Sequence, residues 1–183
     1  MQEPDITLVL GGARSGKSRL AERLTSEAAA ARAARRVYIA TAQALDAEMA
    51  ARIDRHQAER GPGWATREVP HALADAIRAA GPEEVVLVDC LTLWLSNRLC
   101  ALPDPLAADV LLEPEVDDLL DAISQARTSL ILVSNEVGLG LVPETPLGRA
   151  FRDCAGRLNQ RMASIAHRVA FVAAGLPLWL KRC

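Results

Sequence analysis

The sequence predicts an α/β protein in which helices cover both faces of a mostly parallel β-sheet. The main observation is that short apolar runs alternate along the chain with longer, helix-favouring segments. A second is that the apolar runs are nearly continuous, which is typical of strands buried on both faces. The predicted strands are residues 6–10, 36–40, 84–89, 129–134 and 169–175.

The segments between these strands are rich in Ala, Leu, Arg and Glu, which favour helices. The predicted helices are residues 16–34, 44–60, 70–80, 91–101, 114–127 and 146–168. Residues 176–182 follow Gly175, and we expect them to pair with the last strand as an antiparallel C-terminal edge hairpin. Three prolines in residues 102–114 predict a surface excursion within one domain that covers residues 1–183.

Composition argues against several classes of protein. With 21 basic and 23 acidic side chains, the net charge of −2 gives no general attraction to polyanions, and the 3% aromatic content offers few stacking surfaces for nucleic acid. No segment approaches the roughly 20 apolar residues of a membrane span, and the first residues do not resemble a signal peptide. The four cysteines follow no zinc-ligand spacing. We therefore expect a cytoplasmic protein with no nucleic-acid partner.

The strongest motif is GGARSGKS at residues 11–18, which matches G-x-x-x-x-G-K-[ST] between a predicted strand and a predicted helix. In such a P-loop, backbone N–H groups and the helix N-terminus point at the β-phosphate of a nucleotide. The lysine offsets phosphate charge and the hydroxyl coordinates Mg²⁺. The predicted nucleotide-binding residues are Gly11, Gly12, Ala13, Arg14, Ser15, Gly16, Lys17 and Ser18.

Polar residues end the other apolar runs, at Thr41, Asp89 and 134–136. Ligands of open α/β sheets bind beyond the carboxyl ends of the strands, so we expect these residues to lie along one edge. Asp89 ends a buried strand and would hold Mg²⁺ together with Ser18. These features indicate a nucleoside triphosphatase or transferase without identifying its acceptor.

His56 allows two interpretations. On a helical wheel it falls on the apolar face formed by Leu45, Met49 and Ile53, which favours a residue in or beside the core. His56 also belongs to a second stripe at four-residue spacing, formed by Glu48, Arg52, His56 and Arg60. This stripe would be either a row of solvated ion pairs or a line of cations beside a triphosphate. His71 and His167 are predicted to be surface residues.

Geometry argues against a catalytic His56 in an ordinary crossover helix. Such a helix starts at the carboxyl edge of the sheet and runs away from it, so at about 1.5 Å per residue His56 would lie roughly 16 Å below that edge. To reach a nucleotide, the helix must tilt off the sheet, move on binding, or present His56 to a neighbouring subunit. We predict a mobile or splayed helix that closes when a nucleotide binds, with the imidazole well over about 10 Å from Lys17 beforehand.

Five stretches together resemble the bifunctional adenosylcobinamide kinase/adenosylcobinamide-phosphate guanylyltransferases of cobalamin biosynthesis. The first is common to P-loop proteins, whereas the second and fourth are specific to this family. They are GGARSGKSRLAE (11–22), YIATAQALDAEMAARIDRHQAERGPGW (38–64), VLVDCLTLWLSN (86–97), SNEVGLGLVPETPLGR (134–149) and FRDCAGRLNQR (151–161). The resemblance implies a RecA-like P-loop fold.

The resemblance also implies a two-step enzyme. Members phosphorylate adenosylcobinamide with ATP or GTP, then transfer GMP from GTP to the product through a covalent guanylyl-histidine. The histidine belongs to an R-I-x-x-H-x-x-x-R element that matches residues 52–60, so His56 is an implied catalytic residue. The second predicted catalytic residue is Lys17 of the P-loop. Implied nucleotide contacts extend to Ala40, Thr41, Ala42, Gln57, Ala58, Glu59, Arg60, Glu68 and Asp89. Adenosylcobinamide and its phosphate are the implied partners, and trimers the implied assembly.

Two alternatives remain open from the residues. One is a plain small-molecule kinase, in which Lys17, Ser18 and Asp89 transfer the γ-phosphoryl group and His56 is structural. The other is a nucleotide-dependent switch or motor, against which small size and near-neutral charge argue. Glu136 either places substrate or caps a turn. At least two of the arginines in the last helix are expected to form surface ion pairs, the set being Arg149, Arg152, Arg157 and Arg161.

Overall fold

A computed structural model describes residues 4–44 and 46–182, except for the side chains of Arg52 and Glu59. The strands are β1 (Ile6–Gly11), β2 (Arg35–Ala40), β3 (Trp64–Glu68), β4 (Glu84–Asp89), β5 (Ser129–Asn135), β6 (Arg168–Ala173) and β7 (Leu176–Lys181). The helices are α1 (Lys17–Arg32), α2 (Ala47–Arg60), α3 (Leu73–Arg78), α4 (Leu91–Cys100), α5 (Ala108–Leu111), α6 (Glu113–Ser124) and α7 (Pro146–Ile165).

The described strands form one seven-stranded sheet in the order β3-β2-β4-β5-β1-β6-β7. All neighbours pair in parallel except β6 and β7, which form the C-terminal antiparallel hairpin. In register, Gly11 pairs with Asn135 and Ala40 pairs with Asp89, so the polar ends of the strands meet at one carboxyl edge. The predicted mostly parallel α/β sheet with an edge hairpin is confirmed.

The core has two layers because alternate side chains of the central strands point to opposite faces. Leu8 and Leu130 face the layer that α3, α4, α6 and α7 cover, whereas Val9 and Ile131 face the layer that α1 covers. Burial on both faces explains why these strands are continuous apolar runs. No helix in the described part of the chain has the length and apolar character needed to cross a membrane.

Two segments differ from the sequence prediction. Strand β3 was not predicted, because WATRE lies at an edge of the sheet with all its residues half-buried or exposed, and therefore lacks an apolar run. Residues 102–114 are mostly exposed, in keeping with a surface excursion, but they contain secondary structure that was not predicted. They contain a 3-10 turn at Pro105–Ala107 and helix α5, and they bury Ala108 and Leu112 against the layer that contains α6 and α7.

Helix α2 stands off the sheet. None of its described side chains is buried, and it makes only slight contacts with the other elements. Its apolar residues Met49 and Ile53 are half-buried, and Leu45, the first member of the predicted apolar face, lies outside the described residues. Of the two positions considered for this face, in or beside the core, its described residues occupy the second. The face covers a cleft at the carboxyl edge of the sheet.

Candidate nucleotide site

A cleft of about 190 Å³ lies at the carboxyl edge, between helix α2 and the ends of the central strands. Of the predicted P-loop residues, Lys17 and Ser18 line it, whereas residues 11–16 do not, and α2 contributes five lining residues. Its lining residues are Lys17, Ser18, Tyr38, Ala40, Ala42, Met49, Ile53, His56, Gln57, Arg60, Thr66, Asp89, Cys90, Leu93 and Asn135.

The P-loop turns sharply between β1 and α1, and two glycines make that turn possible. Gly16 has a φ of 94°, and a Cβ there would also lie 3.1 Å from the Cα of Gly175. A Cβ at Gly11 would lie 2.5 Å from Ser15 Oγ and 2.6 Å from the carbonyl oxygen of Val172. Gly175 N–H donates to the Ser15 carbonyl at 2.8 Å, so the β6–β7 hairpin supports the loop from behind.

The loop has polar groups suited to phosphate. Lys17 is only 9% exposed, and its Nζ donates to the Gly12 carbonyl at 3.0 Å. Ser15 Oγ is buried and has no hydrogen-bond partner among the described residues. A buried polar group without a partner is costly, and a phosphate oxygen in the loop would supply one. The arrangement therefore fits an anion.

Asp89 ends β4 beside the P-loop, and Tyr38 holds its carboxylate. The Tyr38 hydroxyl donates to Asp89 Oδ2 at 3.2 Å. Burial raises the pKa of Tyr38 far above its usual value, and the neighbouring charge of Asp89 raises it further. Because the phenol stays protonated, it remains a hydrogen-bond donor to the carboxylate at every physiological pH.

Cys90 is the thiol that follows Asp89 and lines the cleft. Burial, and after it the charge of Asp89, raises the pKa of Cys90 to about 11. The thiolate is the nucleophilic form of cysteine, so this side chain is inert near neutral pH. Cys90 therefore contributes to the wall of the cleft and is not a candidate nucleophile.

His56 is half-buried and lines the same cleft as Lys17 and Asp89. It shares one face of α2 with Met49 and Ile53, as the helical wheel indicated, but that face is turned toward the cleft. The N-terminus of α2 is capped by Asp46, whose Oδ1 accepts from Met49 N–H at 2.7 Å. His56 thus lies at the cleft although it belongs to a crossover helix, and this helix packs only slightly on the sheet.

Arg60 anchors the C-terminal end of α2 on the sheet. Its guanidinium lies 3.7 Å from the centroid of the Tyr38 ring and 5.7 Å from that of Trp64. One Nη donates to Thr66 Oγ1 at 3.0 Å, while the Nε is buried without a partner in the described structure. Stacking of a guanidinium on aromatic faces is worth about 0.5–2 kcal/mol, depending on desolvation. Arg60 thereby connects the helix that carries His56 to the tyrosine that holds Asp89.

The remaining predicted nucleotide contacts fall into three groups. Ala40, Ala42 and Gln57 line the cleft, and Ala58 does not. Thr41 points away, because its buried hydroxyl donates to the Cys90 carbonyl and accepts from Cys90 N–H, both at 2.8 Å. Outside the lining lie the exposed residues Ala13, Arg14 and Glu68, and the side chain of Glu59 lies outside the described residues.

Other polar residues considered from sequence have local structural partners. Glu136 Oε1 accepts from Gly138 N–H at 2.6 Å, which is the turn-capping role. Arg161 pairs with Glu113 and Asp117, and Arg152 lies 4.0 Å from Asp153. None of the four arginines of α7 lines the cleft. Both other histidines are exposed, as expected; His71 contacts Gln43 Nε2, and His167 Nδ1 accepts from Ile6 N–H.

Sequence reasoning missed the aromatic platform under Arg60, which consists of Tyr38 and Trp64, and the neighbouring hydroxyl of Thr66 that Arg60 also contacts. Tyr38 lies inside β2, and the apolar pattern of that strand does not distinguish it from its neighbours. Its position two residues before the end of β2 was the available signal, since side chains near the carboxyl ends of parallel strands border the ligand site. Trp64 and Thr66 lie on β3, which was not predicted.

The oxygen atoms near the P-loop are the kind that Mg²⁺ prefers. Ser18 and Asp89 both line the cleft, and a hydroxyl and a carboxylate are hard oxygen donors. The described residues contain no cluster of three His, Cys, Asp or Glu side chains that would hold a metal alone. Magnesium in nucleotide sites takes one or two protein ligands and completes its shell with phosphates and water, so the residues fit the ion.

Fold and cleft together define a class of protein. A P-loop after β1, an acidic residue at the end of β4 and the intervening strand β5 are the features of a RecA-like P-loop nucleotide-binding protein. The fold is similar to that of the flagellar accessory protein FlaH from Methanocaldococcus jannaschii. That solved structure aligns with a TM-score of 0.55 at 14% identity, covering 100% of this chain and 80% of that chain.

Sequence comparison then identifies the family. Residues 7–180 match the model of the cobinamide kinase/cobinamide phosphate guanyltransferase family, to which the chain belongs. The bifunctional adenosylcobalamin biosynthesis protein CobP of Pseudomonas aeruginosa is 50% identical, over 95% of this chain and 96% of that protein. The bifunctional adenosylcobalamin biosynthesis protein CobU of Salmonella typhimurium is 42% identical, over 95% of this chain and 98% of that protein.

Membership confirms the function expected from the resemblance. The chain is a cobinamide kinase and cobinamide phosphate guanylyltransferase of cobalamin biosynthesis. Both activities use nucleoside triphosphates, ATP or GTP, as substrates. A kinase without guanylyltransferase activity, and a nucleotide-dependent switch or motor, do not describe a member of this bifunctional family.

Proposed function

We propose that His56 is the nucleophile of the guanylyltransferase activity and carries GMP as a covalent phosphoramidate. The observation that supports this most directly is that His56 lines one cleft with Lys17 and Asp89, although it lies on a crossover helix. In the described part of the cleft His56 is the one histidine, and burial keeps the neighbouring thiol of Cys90 protonated by raising its pKa to about 11.

In the first step, a neutral imidazole nitrogen of His56 attacks the α-phosphorus of GTP. A P–N bond forms, the P–O bond to the β-phosphate breaks, and pyrophosphate leaves with the electron pair. The cation-lined cleft suits this step because Lys17 and Arg60 offset charge on the phosphates. Gln57, one residue along from His56, is placed to hydrogen-bond the nucleotide.

In the second step, a phosphate oxygen of adenosylcobinamide phosphate attacks the same phosphorus. A P–O bond forms, the P–N bond breaks, and the imidazole returns to its neutral form, giving adenosylcobinamide-GDP. Protonation of its second nitrogen makes imidazole a good leaving group near neutral pH, so one residue both accepts and releases GMP. Neither step changes an oxidation state.

The kinase activity is proposed to use the same P-loop. Gly11–Gly16 N–H groups and Ser15 Oγ would bind phosphate oxygens, and Lys17 would leave the Gly12 carbonyl to contact the β- and γ-phosphates. Ser18 and Asp89 would hold Mg²⁺, which neutralises phosphate charge when it is bound. Tyr38 would keep Asp89 oriented toward the cleft through its hydrogen bond.

The proposal extends to assembly and location. Residues 1–183 act as one domain, since all described strands join one sheet. Adenosylcobinamide and its phosphate are the substrates, the cytoplasm supplies the nucleotides, and the chain assembles as a trimer. Light scattering after gel filtration tests the trimer, which requires a mass three times that of the chain.

Labelling with [α-³²P]GTP tests the covalent step. With Mg²⁺ present, we expect the protein to acquire an acid-labile, alkali-stable label. The label should disappear in His56→Ala and persist in His71→Ala, which removes an exposed histidine outside the cleft. An unlabelled wild-type protein, or a fully labelled His56→Ala variant, would contradict the proposal and favour a kinase site in which His56 is structural.

A further inference from the structure

We infer that the loop between β5 and α7, residues 136–145, is the surface on which the corrin ring of cobinamide rests. This inference builds on the family's substrate and on the proposed nucleotide cleft. It assigns a binding site to a part of the chain that takes no share in nucleotide binding, since no residue of this β5–α7 loop lines the cleft.

The loop carries the two most exposed large apolar side chains among the described residues. Leu139 is 80% exposed, Leu141 is 97% exposed and Val142 is 62% exposed. Single exposed apolar residues are common on protein surfaces, but several on one loop mark a surface that a ligand or partner covers. The three side chains lie within four successive residues, so they are close together.

The loop also leaves the sheet at the place where the reaction occurs. Strand β5 lies between β4, which ends in Asp89, and β1, which leads into the P-loop. Asn135, the last residue of β5, lines the cleft, and Glu136 N–H donates to the Gly11 carbonyl at 3.1 Å. The loop therefore starts between the two elements that are proposed to bind phosphate. Strand β4 separates it from β2, on whose Tyr38 ring Arg60 stacks, and from β3.

Several contacts hold the backbone of the loop while its apolar side chains face solvent. Glu136 Oε1 accepts from Gly138 N–H at its start. At its end, Arg149 Nη1 donates to the carbonyls of Pro143 and Glu144 at 3.1 and 2.8 Å, and Thr145 Oγ1 accepts from Gly148 N–H at 3.1 Å. A backbone held in place costs less conformational entropy on binding than a free one.

The size of the cleft bears on where a corrin ring can lie. At about 190 Å³ the cleft is smaller than the roughly 300–1,000 Å³ typical of small-molecule sites, and it must take a nucleotide. A corrin macrocycle cannot enter it as well, yet the hydroxyl or phosphate on its side arm must reach the cleft for both activities. The ring must therefore lie outside, beside the P-loop, where methyl groups of its periphery can cover exposed leucines.

The double variant Leu139→Ser/Leu141→Ser tests the inference. Both side chains are exposed, so the change should not disturb folding. We expect the dissociation constant for adenosylcobinamide, measured by equilibrium dialysis through the visible absorbance of the corrinoid, to rise by about tenfold or more. The matched control Leu178→Ser/Leu180→Ser removes two exposed leucines of β7, away from the carboxyl edge, and should leave that constant unchanged.

Labelling of His56 from GTP separates this inference from the proposed function. The loop variant should label as the wild type does, because its nucleotide cleft is intact; a failure of labelling in the wild type would count against the covalent histidine alone. The inference is overturned if corrinoid binding is unchanged in the loop variant, or if the β7 control weakens it equally. It is also overturned if the loop variant dissociates into monomers, which would assign the loop to contact between copies.

Discussion

Tyr38 connects the two parts of the cleft that the proposed chemistry needs. Its hydroxyl donates to Asp89 at 3.2 Å, and its ring lies under the guanidinium of Arg60 at 3.7 Å. Asp89 belongs to the phosphate end of the cleft, whereas Arg60 ends the helix that carries His56. The two contacts use different parts of the side chain, so substitutions can separate them.

Tyr38→Phe removes the hydrogen bond to Asp89 and keeps the ring under Arg60. A hydrogen bond to a charged group is worth about 1.5–3 kcal/mol, so we expect turnover in both activities to fall by roughly ten- to a hundredfold. The KM for GTP should change much less. Steady-state kinetics of both half-reactions measures this.

The companion variant Tyr38→Leu removes the hydroxyl and the aromatic face together. Because it also loosens Arg60, it should slow labelling of His56 beyond the effect of Tyr38→Phe while adding little to the loss of kinase activity. Equal effects of both variants on both activities would show that the ring does not position α2. Unchanged turnover in Tyr38→Phe would show that Asp89 needs no positioning.

At the scale of elements, helix α2 differs from every helix that packs on the sheet. Helix α1 buries Leu20 and Ala21 against the sheet, and α7 buries Leu158 and Met162, whereas α2 buries none of its described side chains. Elements with few buried apolar contacts open at low free-energy cost. Arg60 holds the C-terminal end of α2 on the sheet, and the remainder of the helix has little packing to oppose movement toward a ligand.

Hydrogen exchange tests this difference. In the free protein, amides of Ala47–Arg60 should exchange much faster than those of Lys17–Arg32, because local opening of α2 requires little loss of packing. Addition of GTP should slow exchange in α2, since the closed helix covers the nucleotide. Mass spectrometry of peptides from both helices measures the rates. Protection of α2 equal to that of α1 without nucleotide would contradict the account.

At the scale of the whole molecule, a buried ionic cluster forms around the amino end of β4, whereas the cleft lies at the carboxyl edge of the sheet. Glu84 begins β4 at the amino end, and it is 3% exposed. Its Oε1 accepts from Arg67 at 2.6 Å and from Arg35 at 3.2 Å. A buried carboxylate is tolerated when such partners compensate its lost hydration. The cluster joins β2, β3 and β4, and none of its three side chains lines the cleft.

Glu84→Ala should lower the free energy of unfolding by about 1–3 kcal/mol, since Arg67 and Arg35 lose a buried partner but remain partly hydrated. The control Glu83→Ala removes an exposed carboxylate that also pairs with Arg35, and should change stability by less than about 0.5 kcal/mol. Urea unfolding measures both. Labelling by GTP should be normal in the folded Glu84→Ala protein; a selective loss of labelling would mean that the two ends are coupled.

Particular elements show how much the sequence could predict. The central strands were predictable because burial on both faces leaves a continuous apolar run, and the P-loop because its glycines and lysine have fixed spacing. The edge strand β3 has no such run. The apolar face of α2 correctly indicated a covered surface, but helical periodicity does not say whether a core or a ligand cleft covers it. The stacking of Arg60 on the aromatic platform of Tyr38 and Trp64 joins residues from three elements, so no local sequence pattern contains it.

The most direct test of the covalent histidine is whether the labelled protein can complete the reaction. Protein labelled with [α-³²P]GTP would be freed of nucleotide and mixed with adenosylcobinamide phosphate. The account predicts that the label leaves His56 and appears in adenosylcobinamide-GDP at least as fast as steady-state turnover. A label that stays on the protein, or leaves more slowly than turnover, would show that the adduct is not an intermediate.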